Sequence, residues 1–313
     1  MPTNFPSGLR SKGIPVEALG GPGSPMFTNG DIYFVDSGHT NAATTNAGSN
    51  PSYPMSTLDS AIGKTTASNG DVILISPGHA ETYSAAAALT LDVAGITIIG
   101  MGVGNSRPTF TLDTAASVDI NVTAADVQIH NCIFSMNYAD IAGVFDLSAA
   151  GFVLNGCRFV DTATNMNFVE LIVCSSTANE CDRLEFTNNY VSSPDTGNDC
   201  IIQTAEDLDG LIFNDNYIQL GVADNESIIQ VATGKDLTAC QIIGNYIYRL
   251  NTAGDLIVDS DTTANTGLIA HNRIGHADTG SEILVDADGV RQFDNLGTAT
   301  NTASGYILPA IDS

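Results

Sequence analysis

A short pattern of alternating apolar and polar residues recurs along the second half of the chain. Six copies of the pattern are Val127–Phe134, Phe152–Phe159, Leu184–Val191, Leu211–Ile218, Cys240–Ile247 and Gly267–Ile274. The sixth residues of these copies follow each other at steps of 25 to 32 residues, and a weaker seventh copy spans Val290–Gly297. Apolar residues recur at a spacing of two, which is typical of β-strands and excludes helical repeats with their spacing of 3.6.

A second strand-like run recurs between these copies. Its members are Ile201–Thr204, Ile228–Val231, Leu256–Asp259 and Ile283–Asp286. Each period therefore holds at least two strands and a short third one, with no room for a helix. This organisation predicts one coil of a β-solenoid per period, with coils stacked about 4.8 Å apart.

Equivalent positions of successive coils form columns with different predicted environments. Two apolar columns are expected to fill the interior: Ile129, Leu154, Phe186, Phe213, Ile242 and Ile269, and Phe134, Phe159, Val191, Ile218, Ile247 and Ile274. The sixth position carries Cys132 and Cys157 and then four asparagines, Asn189, Asn216, Asn245 and Asn272. This position lies two residues before the second apolar column, so its side chains face the same, inner side. We therefore predict that the asparagines stack at an inner bend, where each side chain hydrogen-bonds the next coil.

This asparagine-bend repeat resembles the right-handed parallel β-helix superfamily of pectate lyases, polygalacturonases and phage tailspikes. The resemblance implies an all-β, single-stranded right-handed parallel β-helix of about eight coils, which we place at residues 70–297. Upstream, Tyr53–Ile62 and Asn69–Tyr83 resemble the usual entry to such helices, a short capping helix followed by the first strand.

The rest of the chain divides around this solenoid. Residues 29–69 are predicted to form the N-terminal cap, whose helix would start with Ser56 and Asp59 in a capping-box-like arrangement. Residues 1–28, rich in proline and glycine, are predicted to form an extended arm without regular structure, and residues 298–313 a C-terminal tail.

Composition narrows the classes of partner. With 35 acidic and 10 basic residues, the chain carries a net charge of -25, so nucleic acid and anionic lipid are unexpected partners. We expect no membrane span and no cofactor, because no apolar run is long enough and the six cysteines form no zinc-like motif. The first residues lack the pattern of a secretory signal, which predicts assembly in a host cytoplasm.

The catalytic motifs of this superfamily have one partial match in the sequence. Thr196–Ile201 resembles the Gly-Asp-Asp-Cys segment of polygalacturonases, with Asp199 as the candidate acid, but the family's other motifs are missing. Glycoside hydrolysis needs two carboxylates, so we expect no catalytic residue and no enzyme activity. Glu206, Asp261 and Asp288 form an acidic column that could bind calcium, but we favour its interpretation as a charged outer surface. His79 is interpreted as a structural residue without a partner.

Two outward columns indicate interaction surfaces. Tyr190, Tyr217 and Tyr246 occupy successive coils, flanked by Arg158 and Arg273. The second recurring strand is predicted to expose an apolar column of Ile202, Ile229, Ile257 and Leu284. Exposed apolar columns are typical of interfaces, so both columns are predicted to mediate self-association in a homotrimer. Sugar binding by the tyrosines is the alternative.

These features favour two functions. In the first, the chain resembles tailed-phage capsid-stabilising proteins: a structural virion protein at the capsid surface, decorating the shell as a β-helical trimer. The arm would then bind the major capsid protein through Phe5, Leu9, Arg10, Lys12 and Ile14. In the second, it is a phage tailspike or receptor-binding protein that recognises or cleaves a host polysaccharide.

Overall fold

The molecule is a parallel β-solenoid built almost entirely of short strands. The structure, a computed structural model, describes residues 10–11, 14–15, 28, 30–222, 227–249, 258–260, 264–276, 286–287, 289–299 and 304–306. Three long sheets surround one apolar interior. Adjacent strands come from successive coils and pair in parallel, except that Ser304–Tyr306 at the end of one sheet pairs antiparallel with Leu296–Ala299. The predicted all-β parallel β-helix is therefore confirmed.

Each coil contributes one strand to each sheet. Sheet 1 contains Ile32–Val35, Val72–Ile75, Thr97–Gly100, Gln128–His130, Val153–Asn155, Glu185–Thr187, Ile212–Asn214, Cys240–Ile243, Gly267–Ala270 and Arg291–Phe293. Sheet 2 contains Ala80–Tyr83, Thr109–Leu112, Ile133–Met136, Arg158–Asp161, Tyr190–Asn198, Tyr217–Val222, Tyr246–Arg249, Arg273–His276, Leu296–Ala299 and Ser304–Tyr306. Sheet 3 contains Leu89–Leu91, Ile120–Val122, Ile141–Leu147, Phe168–Cys174, Cys200–Thr204, Ile229–Val231, Val258–Ser260 and Asp286–Ala287. The solenoid makes about 7 turns, close to the predicted number of coils.

Short elements complete the described structure. Leu208–Asp209 pairs in parallel with Leu237–Thr238, and Gly104–Ser106 forms a 3-10 turn.

Arg10–Ser11 pairs with Ile14–Pro15 in an antiparallel hairpin, so part of the predicted irregular arm is regular. Phe5, Leu9 and Lys12 of the predicted arm lie outside the described residues. None of the helices in the described ranges combines the length and the apolar character needed to cross a membrane.

Stacked phenylalanines form the centre of the interior. Five rings stack from coil to coil with centroid separations of 5.3 to 5.8 Å: Phe110, Phe134, Phe159, Phe186 and Phe213. The stack begins on sheet 2 and passes to sheet 1 between Phe159 and Phe186. Both predicted apolar columns thus meet in one core, where parallel ring pairs stabilise the coils beyond the burial of their area.

The predicted asparagine ladder is present and includes Asn295 of the weaker seventh copy. Backbone N–H groups of Asn189, Asn216 and Asn245 each donate, over 2.9 Å, to the Oδ1 atom of the asparagine one coil later. The column continues through Asn272 to Asn295, whose Oδ1 accepts from Asn272 over 3.1 Å. Each described asparagine of the column is at most 2% exposed, so its amide satisfies backbone groups that water does not reach.

A left-handed backbone conformation precedes each ladder position and makes the bend. The residues concerned have φ between 51° and 72°: Asn188, Asp215, Gly244, His271 and Asp294. Glycine, asparagine and aspartate tolerate this region best, which explains the polar or glycine residue at this position of the repeat.

The cap differs from its prediction in two respects. Its helix spans Leu58–Ile62 with Thr57 as the N-cap, not Ser56, because the Thr57 side chain accepts the Ser60 N–H over 3.3 Å. The strand Ile32–Val35 pairs in parallel with Val72–Ile75, so sheet 1 begins within the residues predicted to form the cap.

The predicted exposure of the apolar column on sheet 3 is wrong. Ile202 and Ile229 are 0% exposed and belong to the core. Ile229 pairs with Val258 and not with Ile257, so this coil is one residue longer than predicted. A shift of one residue moves a side chain to the other face of a strand, so the predicted alignment put the column on the outer face instead of the inner face. Ile257 and Leu284 lie outside the described residues.

A tyrosine strip and an acidic cavity on sheet 2

Three tyrosines form a continuous strip on the outer face of sheet 2. Tyr190, Tyr217 and Tyr246 lie in register on successive strands and are 37%, 43% and 46% exposed. Their ring centroids are 5.2 and 5.1 Å apart, and the planes are within 4° of parallel. Rings this close leave no room for a group between them, so a ligand meets the ring edges and the distal hydroxyl groups.

Arginines flank the strip at both ends. The guanidinium of Arg158 lies 5.4 Å from the centroid of the Tyr190 ring, a cation–π contact. Its Nη1 donates to Oδ1 of Asn105 over 3.0 Å, which holds the side chain in place. Arg273 is exposed and in register with Tyr246. The strip therefore offers hydroxyl groups between two cations, in a chain with few bases.

A cavity of about 480 Å³ adjoins the Arg158 end of the strip. Its lining residues are Arg158, Val160, Asp161, Ala163, Thr164, Ser192, Pro194 and Asp195. The strand Tyr190–Asn198 makes one wall, because its register with the next strand breaks between Ser193 and Asn198. A bulge of this kind redirects side chains, here those of Pro194 and Asp195.

The bulge is held by Asn198 and by a close approach to Gly221. Nδ2 of Asn198 lies within hydrogen-bond distance of the carbonyl oxygens of Ser193 (2.9 Å), Asp195 (2.6 Å) and Gly221 (2.8 Å). A Cβ atom at position 221 would lie 2.3 Å from the carbonyl oxygen of Asp195, so only glycine fits. The wall of the cavity is thus a built feature of the fold.

A hydrogen bond from Ser193 ties Asp161 to the bulge. The Ser193 hydroxyl lies 2.8 Å from Oδ2 of Asp161 and 3.0 Å from Oδ1 of Asn198, and its single proton donates to either oxygen. Asp161 is therefore held against the bulge that forms the wall of the cavity.

The surroundings of Asp161 change its affinity for a proton. Burial, with a smaller contribution from the charge of Asp195, raises the pKa of Asp161 to about 7 against the hydrogen bond from Ser193, which lowers it. Asp161 is therefore a carboxyl group that exchanges its proton near neutral pH, beside a second carboxylate.

Replacing Asp161 with asparagine is expected to change the pH dependence of stability. The folded state holds the Asp161 proton more tightly than the unfolded state, so this contribution is complete below the unfolded pKa of 3.8 and is lost as pH rises through about 7. Asp161→Asn keeps an acceptor for the Ser193 hydroxyl without titrating. Between pH 5 and pH 8 the variant should gain about 1–3 kcal/mol relative to the wild type in denaturant unfolding. Parallel pH profiles of both proteins would contradict a raised pKa for Asp161.

Two polar atoms of the cavity residues have unmet hydrogen-bonding capacity. Oδ1 of Asp161 and Nε of Arg158 are buried without a hydrogen-bond partner. An unpaired buried polar group costs about 1–3 kcal/mol, so the site gains from a water molecule or ligand hydroxyl that reaches these atoms.

The other acidic candidates from the sequence do not join this cavity. Asp199 follows the bulge and is half-buried, which raises its pKa, but it is not a lining residue. Glu206 forms an ion pair with Lys235. Asp261 and Asp288 lie outside the described residues, and those described include no cluster of three metal-binding side chains.

His79 has two partners, contrary to its interpretation as a lone residue. Its Nδ1 accepts the Ser37 N–H over 2.9 Å, so its Nε2 is the protonated nitrogen and donates to Oε1 of Glu81 over 2.8 Å. The same carboxylate oxygen accepts the Leu58 N–H over 2.6 Å at the start of the cap helix. His79 therefore links the cap to the first coil in a structural role.

No protein-family model matches the chain, and no curated protein matches its sequence. Among solved structures, a rhamnogalacturonan lyase is similar with a TM-score of 0.46 and 12% identity, over 86% of this chain and 74% of that one.

Sequence reasoning missed the cavity although one signal for it was present. The run Tyr190–Asn198 is longer than the equivalent run on other coils and contains Pro194. Proline within a strand marks a bulge or an edge, because it cannot donate to the ladder. A search for departures from the repeat would have pointed to Pro194 and Asp195.

Proposed function

We propose that the chain is a β-helical protein that binds a neutral polysaccharide along the outer face of sheet 2. The proposal rests on the exposed tyrosine strip that ends at a cavity with unpaired hydrogen-bonding groups. It corresponds to the recognition part of the tailspike alternative and does not include cleavage.

The geometry of the strip suits a linear polymer of hydroxyl-bearing rings. Tyrosine hydroxyl groups recur once per coil, and a polysaccharide likewise repeats its hydroxyl groups once per sugar ring. Tyrosine provides apolar ring edges and a polar tip at low conformational cost, a combination that suits sugars. The net charge of -25 opposes polyanions, which favours a neutral ligand.

Replacing Tyr217 with alanine is expected to reduce polysaccharide binding at least about tenfold, because it interrupts the strip at its centre. A glycan array probed with the labelled wild type and with Tyr217→Ala measures the effect. Tyr53→Ala is the matched control, since Tyr53 is 56% exposed but belongs to the cap. Loss of binding in Tyr217→Ala alone supports the proposal, whereas equal loss in both variants contradicts it.

Capsid decoration is the second candidate function. The exposed tyrosine strip favours it too, because such a strip suits a contact between copies of the chain. In this role the chain is a virion protein that binds the major capsid protein as a homotrimer. The burial of Ile202 and Ile229 removes the second predicted contact surface. Sedimentation of the wild type and Tyr217→Ala tests the role. A trimer that dissociates in the variant supports it, and a wild-type monomer at micromolar concentration contradicts it.

A further inference from the structure

Two cysteine thiols meet at the end of one strand of sheet 3. Cys174 is the last residue of Phe168–Cys174, and Cys181 follows seven residues later along the chain. Their side chains are 4% and 5% exposed. Sγ of Cys181 lies 3.7 Å from the carbonyl oxygen of Leu147, and Leu147 is the strand partner of Cys174, so both thiols lie beside the same residue. Both thiols therefore belong to the rim of the core.

The loop that joins the cysteines brings its ends together without a covalent bond. Ser175 donates to the carboxylate of Glu180 across the base of the loop. Its Oγ also accepts the Thr177 N–H over 3.1 Å, and the Glu180 N–H donates to the Thr177 carbonyl over 3.3 Å. Residues 176–179 at the tip are exposed, so small molecules can approach the thiols from this side.

We propose that Cys174 and Cys181 form a disulfide when the folded protein meets a small-molecule disulfide. One cysteine thiolate attacks the small disulfide, forming a mixed disulfide and releasing one small thiolate. The second cysteine thiolate then attacks the protein sulfur of the mixed disulfide and releases the other. Two cysteine thiols are oxidised, one small disulfide is reduced to two small thiols, and the two cysteine protons pass to the released thiolates.

Burial governs the rate of this reaction. The hydrogen bond to Cys181 and burial raise the pKa of Cys174 well above its ordinary value, so little of it is thiolate at neutral pH. The bond should therefore form slowly, faster at higher pH. Once formed, it closes a short loop and reduces the conformational freedom of the unfolded chain.

Cys200 is the competing partner. It lies on the neighbouring strand of sheet 3, where it pairs with Glu170, and its thiol is close enough to influence Cys174 electrostatically. The register places Cys200 beside Glu170, four residues along the strand from Cys174, whereas the hydrogen bond between Ser175 and Glu180 closes the loop that brings Cys181 back to Cys174. The experiment must distinguish these two linkages.

Incubation of the folded protein with oxidised glutathione at pH 8 tests the proposal. The product is denatured, alkylated and digested, and linked peptides are identified by mass spectrometry. We expect a Cys174–Cys181 linkage, a rise of a few degrees in Tm, and reversal of both by dithiothreitol. Cys181→Ser should abolish the linkage, and Cys240→Ser, which changes a buried thiol elsewhere, should retain it.

The wild-type protein alone decides the question if a variant fails to fold. Two fully alkylated thiols at positions 174 and 181 after prolonged oxidation would overturn the proposal. A predominant Cys174–Cys200 linkage would also overturn it.

Discussion

Replacing Asn216 with leucine is expected to lower the free energy of unfolding by about 2–6 kcal/mol. The Asn216 side chain accepts the Asn189 N–H over 2.9 Å and donates to the Phe186 carbonyl oxygen over 2.8 Å. Leucine has a similar volume but no polar atom, so both backbone groups remain buried without a partner. Each unpaired group costs about 1–3 kcal/mol, and the two costs add because they arise on different groups.

Urea unfolding of Asn216→Leu beside Gln241→Leu measures this effect. Gln241 is an exposed amide on sheet 1, and its replacement should change stability by no more than about 0.5 kcal/mol. If both variants unfold at the same urea concentration, the ladder does not stabilise the coils.

Replacing Phe159 with alanine is expected to cost about 3–5 kcal/mol, the usual range for a buried phenylalanine. Its ring is 0% exposed and lies between Phe134, at 5.3 Å, and Phe186, at 5.8 Å. It also contacts Phe145 edge-on at 6.3 Å. Truncation therefore opens a cavity where the ring stack passes from sheet 2 to sheet 1, and rigid strands on both sides limit collapse.

Phe293→Ala is the matched control for this prediction. Phe293 is 65% exposed on sheet 1, so its truncation removes a ring from the surface and leaves no cavity in the core. Thermal unfolding should show a large decrease in Tm for Phe159→Ala and a small one for Phe293→Ala. Equal decreases would mean that the stack is not the centre of the core.

The periodic part of the fold could be predicted from the sequence because each coil repeats the same physical problem. A buried bend needs an amide such as that of Asn216 at every level, and an inner face needs an apolar side chain such as Phe186. Sheet 3 shows the limit of this reasoning. Ile202 and Ile229 each follow another isoleucine, so the sequence did not fix which residue of each pair faces inward, and one extra residue between Ile229 and Val258 reversed the predicted faces.

The candidate site could be predicted only in part. The tyrosine strip is a column of the repeat and was visible, with Arg158 and Arg273 at its ends. The cavity arises where the repeat is broken, and Asp161 occupies a position that is apolar one coil earlier, at Met136. Asp161 accepts a hydrogen bond from Ser193, which a bulge brings beside Asn198, and no column of the repeat records these contacts.

The central claim is that sheet 2 carries the ligand-binding face, and tyrosine ring resonances test it most directly. The chain has only 9 tyrosines, so selective labelling with ¹³C gives a spectrum that single replacements can assign. Titration with an oligosaccharide of the bound polysaccharide should shift the ring signals of Tyr190, Tyr217 and Tyr246 and leave that of Tyr53 unchanged. Saturable binding that leaves the three strip resonances unmoved would contradict the claim.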